Sequence, residues 1–207
     1  AGWWLLPPAL MVVHEALLLR LYGLLPDLFP GSDWNWTGKL LAMAGLLLVA
    51  AWPALGWWRS GWTLTQAPGS APAWWCLGVL TILLLALAIW SGTGREDGDT
   101  IAFQWTMPGL QEELFYRGVL LLVLNEAFRA RCQVLGARIG WGGLLSTVAF
   151  GLIHALFYGN DGASFDAAAF AMTAGPALLL LWMRERTGSL VVPVLAHNVV
   201  NGVFVLF

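Results

Sequence analysis

Residues 74–90 read WWCLGVLTILLLALAIW, seventeen positions with no charge and a tryptophan at each end. A helix over this run is apolar on every side, and its end tryptophans sit where hydrocarbon gives way to headgroups. It is long enough to approach the roughly 20 residues that a transmembrane helix needs. The pattern recurs outward from it. The 35 residues between Arg59 and Arg95 carry no formal charge, nor do the 22 between Arg138 and Asp161 or the 21 from Thr187 to Phe207. Residues 40–58, LLAMAGLLLVAAWPALGWW, are a further uncharged stretch ending in a Trp pair. Only 22 of 207 residues are charged, 11% where a soluble domain has about 25%. Hydrophobic residues make up 59% and mean hydropathy is +0.73. These proportions exclude a water-facing surface over most of the molecule and predict an all-α, polytopic membrane bundle.

Seven spans are predicted, at about 3–25, 40–58, 73–91, 107–128, 141–159, 167–183 and 188–207, within a range of six to eight. They form a single domain, 1–207, with a motif-bearing core at 104–207. Alternate connecting segments hold six Lys or Arg on one side (Arg59, Arg129, Arg131, Arg138, Arg184, Arg186) and two on the other (Lys39, Arg95). The positive-inside rule then puts the N-terminus in the cytoplasm, in a chain expected in a prokaryotic inner membrane. The opening AGWWLLPPAL has no early Lys or Arg and does not fit a cleavable signal peptide. A net charge of −2 offers no basic surface for nucleic acid. Cys76 and Cys132 make neither a metal pattern nor a disulfide framework.

The informative residues are ionisable groups at membrane depth, which cost several kcal/mol unless paired or solvated in a cavity. In QEELFYRG, residues 111–118, Glu113 and Arg117 are i and i+4 on one face, while Glu112 points about 100° away. Pro108 is placed to start this helix, so Glu112 falls in its first turns. FGLIH at 150–154 puts Phe150 and His154 on one face, and HNVVN at 197–201 does the same for His197 and Asn201. In the seven-span drawing Glu112, His154, His197 and Asn201 lie in the same half of the bilayer. Interfacial acids and a structurally bonded histidine remain open for each residue taken alone. His14, Glu15 and Arg20 read as the polar face of an interfacial first helix.

A carboxylate and an imidazole facing one water form a general-base arrangement, and a second histidine with an asparagine amide can hold the oxygen on which charge develops. The same residues allow another reading, a zinc site of Glu112, His154 and His197 with an open fourth position. Neither a GxSxG elbow nor an HExxH pair occurs.

EELFYR at 112–117, FGLIH at 150–154 and HNVVN at 197–201 resemble the motifs EExxxR, FxxxH and HxxxN of the CPBP family. This is the CAAX-protease and bacteriocin-processing (Abi) group of intramembrane proteases, which includes the Rce1-type prenyl protease. The resemblance covers residues 104–207. It implies an all-helical integral membrane endopeptidase without a cofactor, in which Glu112 and His154 activate water, His197 and Asn201 form the oxyanion site, and Glu113 and Arg117 are a supporting ion pair. About seven spans fit in this chain, where the Rce1-type core has eight. The implied partner, besides the lipid bilayer, is a peptide or protein substrate that is membrane-associated, exported or prenylated. The charge bias, which places the site away from the cytoplasm, favours a membrane-associated or exported peptide cut near its terminus. A non-catalytic scaffold or chaperone of protease-like fold and a proton-coupled transporter are the alternatives, although the inverted repeats of a transporter are not found.

Overall fold

The computed structural model describes residues 3–160 and 162–207; Asp161, one of the acidic loop residues, lies outside them. Seven helical segments dominate these residues, in the order expected from the sequence. They are α1 (Leu6–Leu18), α2 (Trp36–Ala51), α3 (Ala71–Ser91), a central rod over 108–127, α6 (Trp141–Ala155), α7 (Ala167–Thr187) and α8 (Val191–Gly202), with a short α4 (Gly98–Gln104) before the rod. By length and composition, α3 and α7 are apolar enough to cross a membrane, and α1, α2, α6 and α8 are shorter apolar helices. Most of α3 faces outward, with Trp75, Ile82, Leu83 and Trp90 exposed. A large unpolar surface of this kind suits lipid rather than water.

The rod contains the EELFYR motif and is wide rather than regular. Pro108–Glu112 and Leu114–Leu120 are π-helical and run into α5 (Leu121–Ala127). Side-chain donors from two neighbouring helices occupy carbonyls of this stretch: Ser146 Oγ donates to Tyr116 O at 2.5 Å, and Arg184 Nε donates to Arg117 O at 3.1 Å. Insertions of this type open the i→i−4 ladder. Leu114, Phe115, Tyr116, Val119, Leu120 and Val123 bury the rod at the centre of the bundle. Gly109 lets α8 approach closely, since a Cβ there would stand 2.3 Å from Asn198 Oδ1 and 2.7 Å from Val194 O.

Several expected boundaries are corrected. The bundle is not purely α: β1 (Arg131–Val134) and β2 (Ala137–Gly140) form one antiparallel hairpin, β3 (Leu156–Gly159) and β4 (Gly162–Phe165) another. The first hairpin turns at Leu135 and Gly136, both with positive φ, and Arg186 Nη1 donates to Gly136 O at 2.7 Å. Consecutive left-handed residues give a two-residue turn matched to strand twist. The span expected at 141–159 therefore stops at Ala155, because Leu156–Gly159 pairs as a strand. The span expected at 3–25 is helical only over Leu6–Leu18, since Arg20, Leu21 and Tyr22 turn with positive φ. Arg184, Glu185 and Arg186 ride on the last turn of α7 instead of a loop, and the final span shortens to Val191–Gly202 with a 3₁₀ turn at Val203–Val205.

The segment from α1 to α2 is tied down by polar contacts. Asp27 accepts from the Thr37 hydroxyl at 2.6 Å and the Phe29 N–H at 3.0 Å, with Arg20 at 3.2 Å. The Thr37 hydroxyl, and after it the Phe29 N–H, hold this carboxyl below its ordinary value. Trp34 stacks on Phe103 of α4 at 4.9 Å between centroids and donates Nε1 to Thr100 Oγ1 at 2.9 Å. The connection thus closes one side of the cavity described next.

Candidate active site

Glu112, His154, His197 and Asn201 line a single cavity of about 650 Å³ at one end of the bundle. Each comes from a helix end that the topology brings to that level: the start of the rod, the last turn of α6, and the second half of α8. The other walls are mostly apolar, including Leu80, Leu84, Met172 and Leu180. The four side chains singled out in the sequence thus meet in one cavity.

Hydrogen bonds fix the orientation of both histidines. In His154, Nδ1 lies 2.8 Å from Phe150 O. A carbonyl only accepts, so Nδ1 carries the proton and the neutral ring keeps the Nε2 lone pair free. In His197, Nδ1 donates to Glu113 Oε1 at 2.7 Å, and Nε2 stands 3.7 Å from Glu112 Oε2. That gap exceeds a direct hydrogen bond and lets one water touch both atoms.

Glu113 does more than pair with Arg117. Its Oε1 also accepts from Arg117 Nη1 at 2.9 Å, so one oxygen ties the rod's arginine to the α8 histidine. Both partners of the ion pair are buried, Glu113 at 0% and Arg117 at 1% exposure. Phe150 accounts for the first position of FGLIH: its ring faces the Arg117 guanidinium at 4.4 Å and stands 6.0 Å from the His197 ring. A cation over an aromatic face is attracted by the ring quadrupole. Asn201 lies on the cavity wall, whereas its neighbour Asn198 accepts from the Gly109 N–H at 2.9 Å and is spent on packing.

Two residues that sequence reasoning placed elsewhere belong here. Lys39, read as a loop cation, sits in the first turn of α2 with Nζ 2.5 Å from Glu112 Oε1 and 2.9 Å from Gln111 Oε1. His14, read as part of an interfacial polar face, is 3% exposed, stacks on Phe115 at 3.8 Å and bonds Gln111. A usable signal existed for Lys39, the sole lysine of the chain. Among the described residues no three His, Cys, Asp or Glu stand close enough together to hold a metal ion. A zinc site at Glu112, His154 and His197 would therefore require them to draw together, and one Glu112 oxygen already faces an ammonium group.

Residues 100–203 match a family model described as type II CAAX prenyl endopeptidase Rce1-like. No curated protein and no solved structure matches the chain. The matched segment runs from α4 to the end of α8 and contains all three motifs; His14 and Lys39 lie outside it.

Proposed function

The chain belongs to the Rce1-like family of type II CAAX prenyl endopeptidases, a family of integral membrane peptidases, and from that premise we propose that it hydrolyses a peptide bond with water activated by Glu112 and His154. The observation that carries this reading is the convergence of Glu112, His154, His197 and Asn201 on one cavity. Glu112 takes a proton from water held against His154 Nε2, and the hydroxide attacks the scissile carbonyl. The oxygen that gains the charge accepts hydrogen bonds from the Asn201 amide and from His197 Nε2–H. Because Nδ1–H of His197 is committed to Glu113, this second donor exists in the imidazolium form, for which Glu113 supplies the counter-charge. The proton held by Glu112 passes to the leaving amine as the C–N bond breaks.

No step of this mechanism draws on a metal. The probe is an internally quenched, farnesylated peptide ending in a Cys-aliphatic-aliphatic-X sequence. Purified protein is expected to cleave it after chelation and buffer exchange, with zinc well below one atom per chain by elemental analysis. A reproducible 1:1 zinc content, lost with His154→Ala and required for activity, would reassign Glu112, His154 and His197 as ligands. The apolar cavity walls support a substrate with apolar residues beside the scissile bond, near the terminus of a membrane-associated or exported peptide.

We also propose that the site faces away from the cytoplasm of a prokaryotic inner membrane. Arg59, Arg129, Arg131, Arg138, Arg184 and Arg186 all lie at the end of the bundle opposite the cavity, which the positive-inside rule assigns to the cytoplasm. Cys132, exposed on β1 at that end, is a native reporter. An impermeant maleimide is expected to label it in inverted vesicles and not in intact spheroplasts, and Thr93→Cys in a Cys76→Ser/Cys132→Ser background should label the opposite way. The reverse pattern would turn the molecule over and open the site to a cytoplasmic prenylated substrate.

A further inference from the structure

The polar wall of the cavity has an arm that no motif contains. Lys39 Nζ contacts Glu112 Oε1 at 2.5 Å and Gln111 Oε1 at 2.9 Å. Since the Gln111 oxygen accepts from Lys39, its amide nitrogen donates to His14 Nε2, 2.5 Å away. His14 then carries its proton on Nδ1, which faces Glu15 Oε1 at 3.2 Å. Each donor in this chain meets an acceptor, and each link fixes the next. Gln111 is 0% exposed and His14 is clamped on the Phe115 ring, so the far end of the arm is immobile. Among the described residues, Lys39 is also the only lysine or arginine lining the cavity.

Resting on the proposed glutamate mechanism, we infer that Lys39 is a positioning residue for Glu112, held in place by Gln111 and His14. An ionised carboxylate at membrane depth needs a counter-charge, and Arg117 is already committed to Glu113. Lys39 supplies it from α2. By binding Oε1, the ammonium leaves Oε2 as the oxygen that faces His197 Nε2, and so selects which oxygen works as the base. A carboxylate free to rotate would spend part of its time with neither oxygen aimed at the water, and misplacement by about 1 Å lowers turnover by about 100-fold. The first two helices, outside the family match, thus complete the site.

The test uses the full chain in proteoliposomes with the farnesylated quenched peptide, after wild type and Glu112→Gln have been compared. Lys39→Met keeps chain length and removes the ammonium; kcat is expected to fall about 100-fold with KM within about threefold. Lys39→Arg restores charge and donors and is expected to recover at least tenfold of that loss, which a purely steric role would not predict. Should Lys39→Met fail to fold, Gln111→Met cuts the arm one link away while keeping Lys39 and Glu112, and is expected to lower kcat about tenfold at unchanged KM. Wild-type kcat in a folded Lys39→Met protein overturns the inference and leaves the glutamate mechanism standing. A raised KM at unchanged kcat also overturns it, making Lys39 a substrate anchor instead. A wild type as inert as Glu112→Gln on this peptide and on its unprenylated counterpart removes the peptidase reading itself, and this inference with it.

Discussion

Glu112→Gln is expected to reduce cleavage by about 1,000-fold or more while the protein still purifies as a folded membrane species. The substitution removes the carboxylate proposed as the base, yet keeps size and one oxygen. Lys39 would retain that amide oxygen as well as Gln111 Oε1, so its ammonium keeps acceptors after the charge is lost. Glu112 is also less enclosed than its neighbour, with 14% of its side chain exposed against 0% for Glu113. The effect should thus fall on kcat, with a melting temperature near that of the wild type. Paired cleavage and melting curves decide the matter. Substantial turnover in this variant would transfer the base to His154 or to a metal-bound water and end the glutamate mechanism.

The parts of the site that were legible in the sequence are those that break an apolar pattern. Glu112, Glu113, His154 and His197 stand out because burying them in a span is unfavourable, and their spacings put the right partners on one face. Lys39 and His14 lacked that contrast. Lys39 sits at the margin of a span, where a cation normally marks a loop, and His14 shares its helix with Glu15 and Arg20, which makes the whole face look interfacial. What drew them in was tertiary: the rod offers Gln111 and Glu112 toward α1 and α2, a choice made by rotation about its axis. Within the π-helical Leu114–Leu120, Ser146 and Arg184 of other helices bond the carbonyls of Tyr116 and Arg117, partners that the rod's own sequence does not announce.

The hairpins were hidden for a different reason. Leu156–Gly159 is apolar and follows α6 without a break, so hydropathy extends the span through it. Four-residue strands also carry too few alternations for a period of two to register. By contrast, α2 and α3 followed from runs of uncharged residues and the tryptophans that bound them, whereas the rod, which carries Glu112, Glu113 and Arg117, could not be read from hydropathy alone.

Glu113→Gln separates the roles of the two adjacent glutamates. Here the expected loss is of stability, about 3–5 kcal/mol, because a fully buried guanidinium is left without its counter-charge. For a chain of this size that corresponds to a fall in melting temperature on the order of 10 °C. Phe150 would still face Arg117 at 4.4 Å, but a cation over an aromatic ring contributes only about 2 kcal/mol when desolvated. Activity falls as well, since His197 loses the carboxylate that fixes its ring. Equal loss of activity in the Glu112 and Glu113 variants, with neither destabilised, would show that both act in chemistry and that the division between base and scaffold is wrong. The double variant Glu113→Leu/Arg117→Met sharpens the distinction. Replacing both members of a buried pair by apolar groups of similar size is often neutral, so much of the melting temperature should return. Turnover should not return with it: the acceptor on His197 Nδ1 is gone, and Nε2 is no longer held toward the oxygen that develops charge.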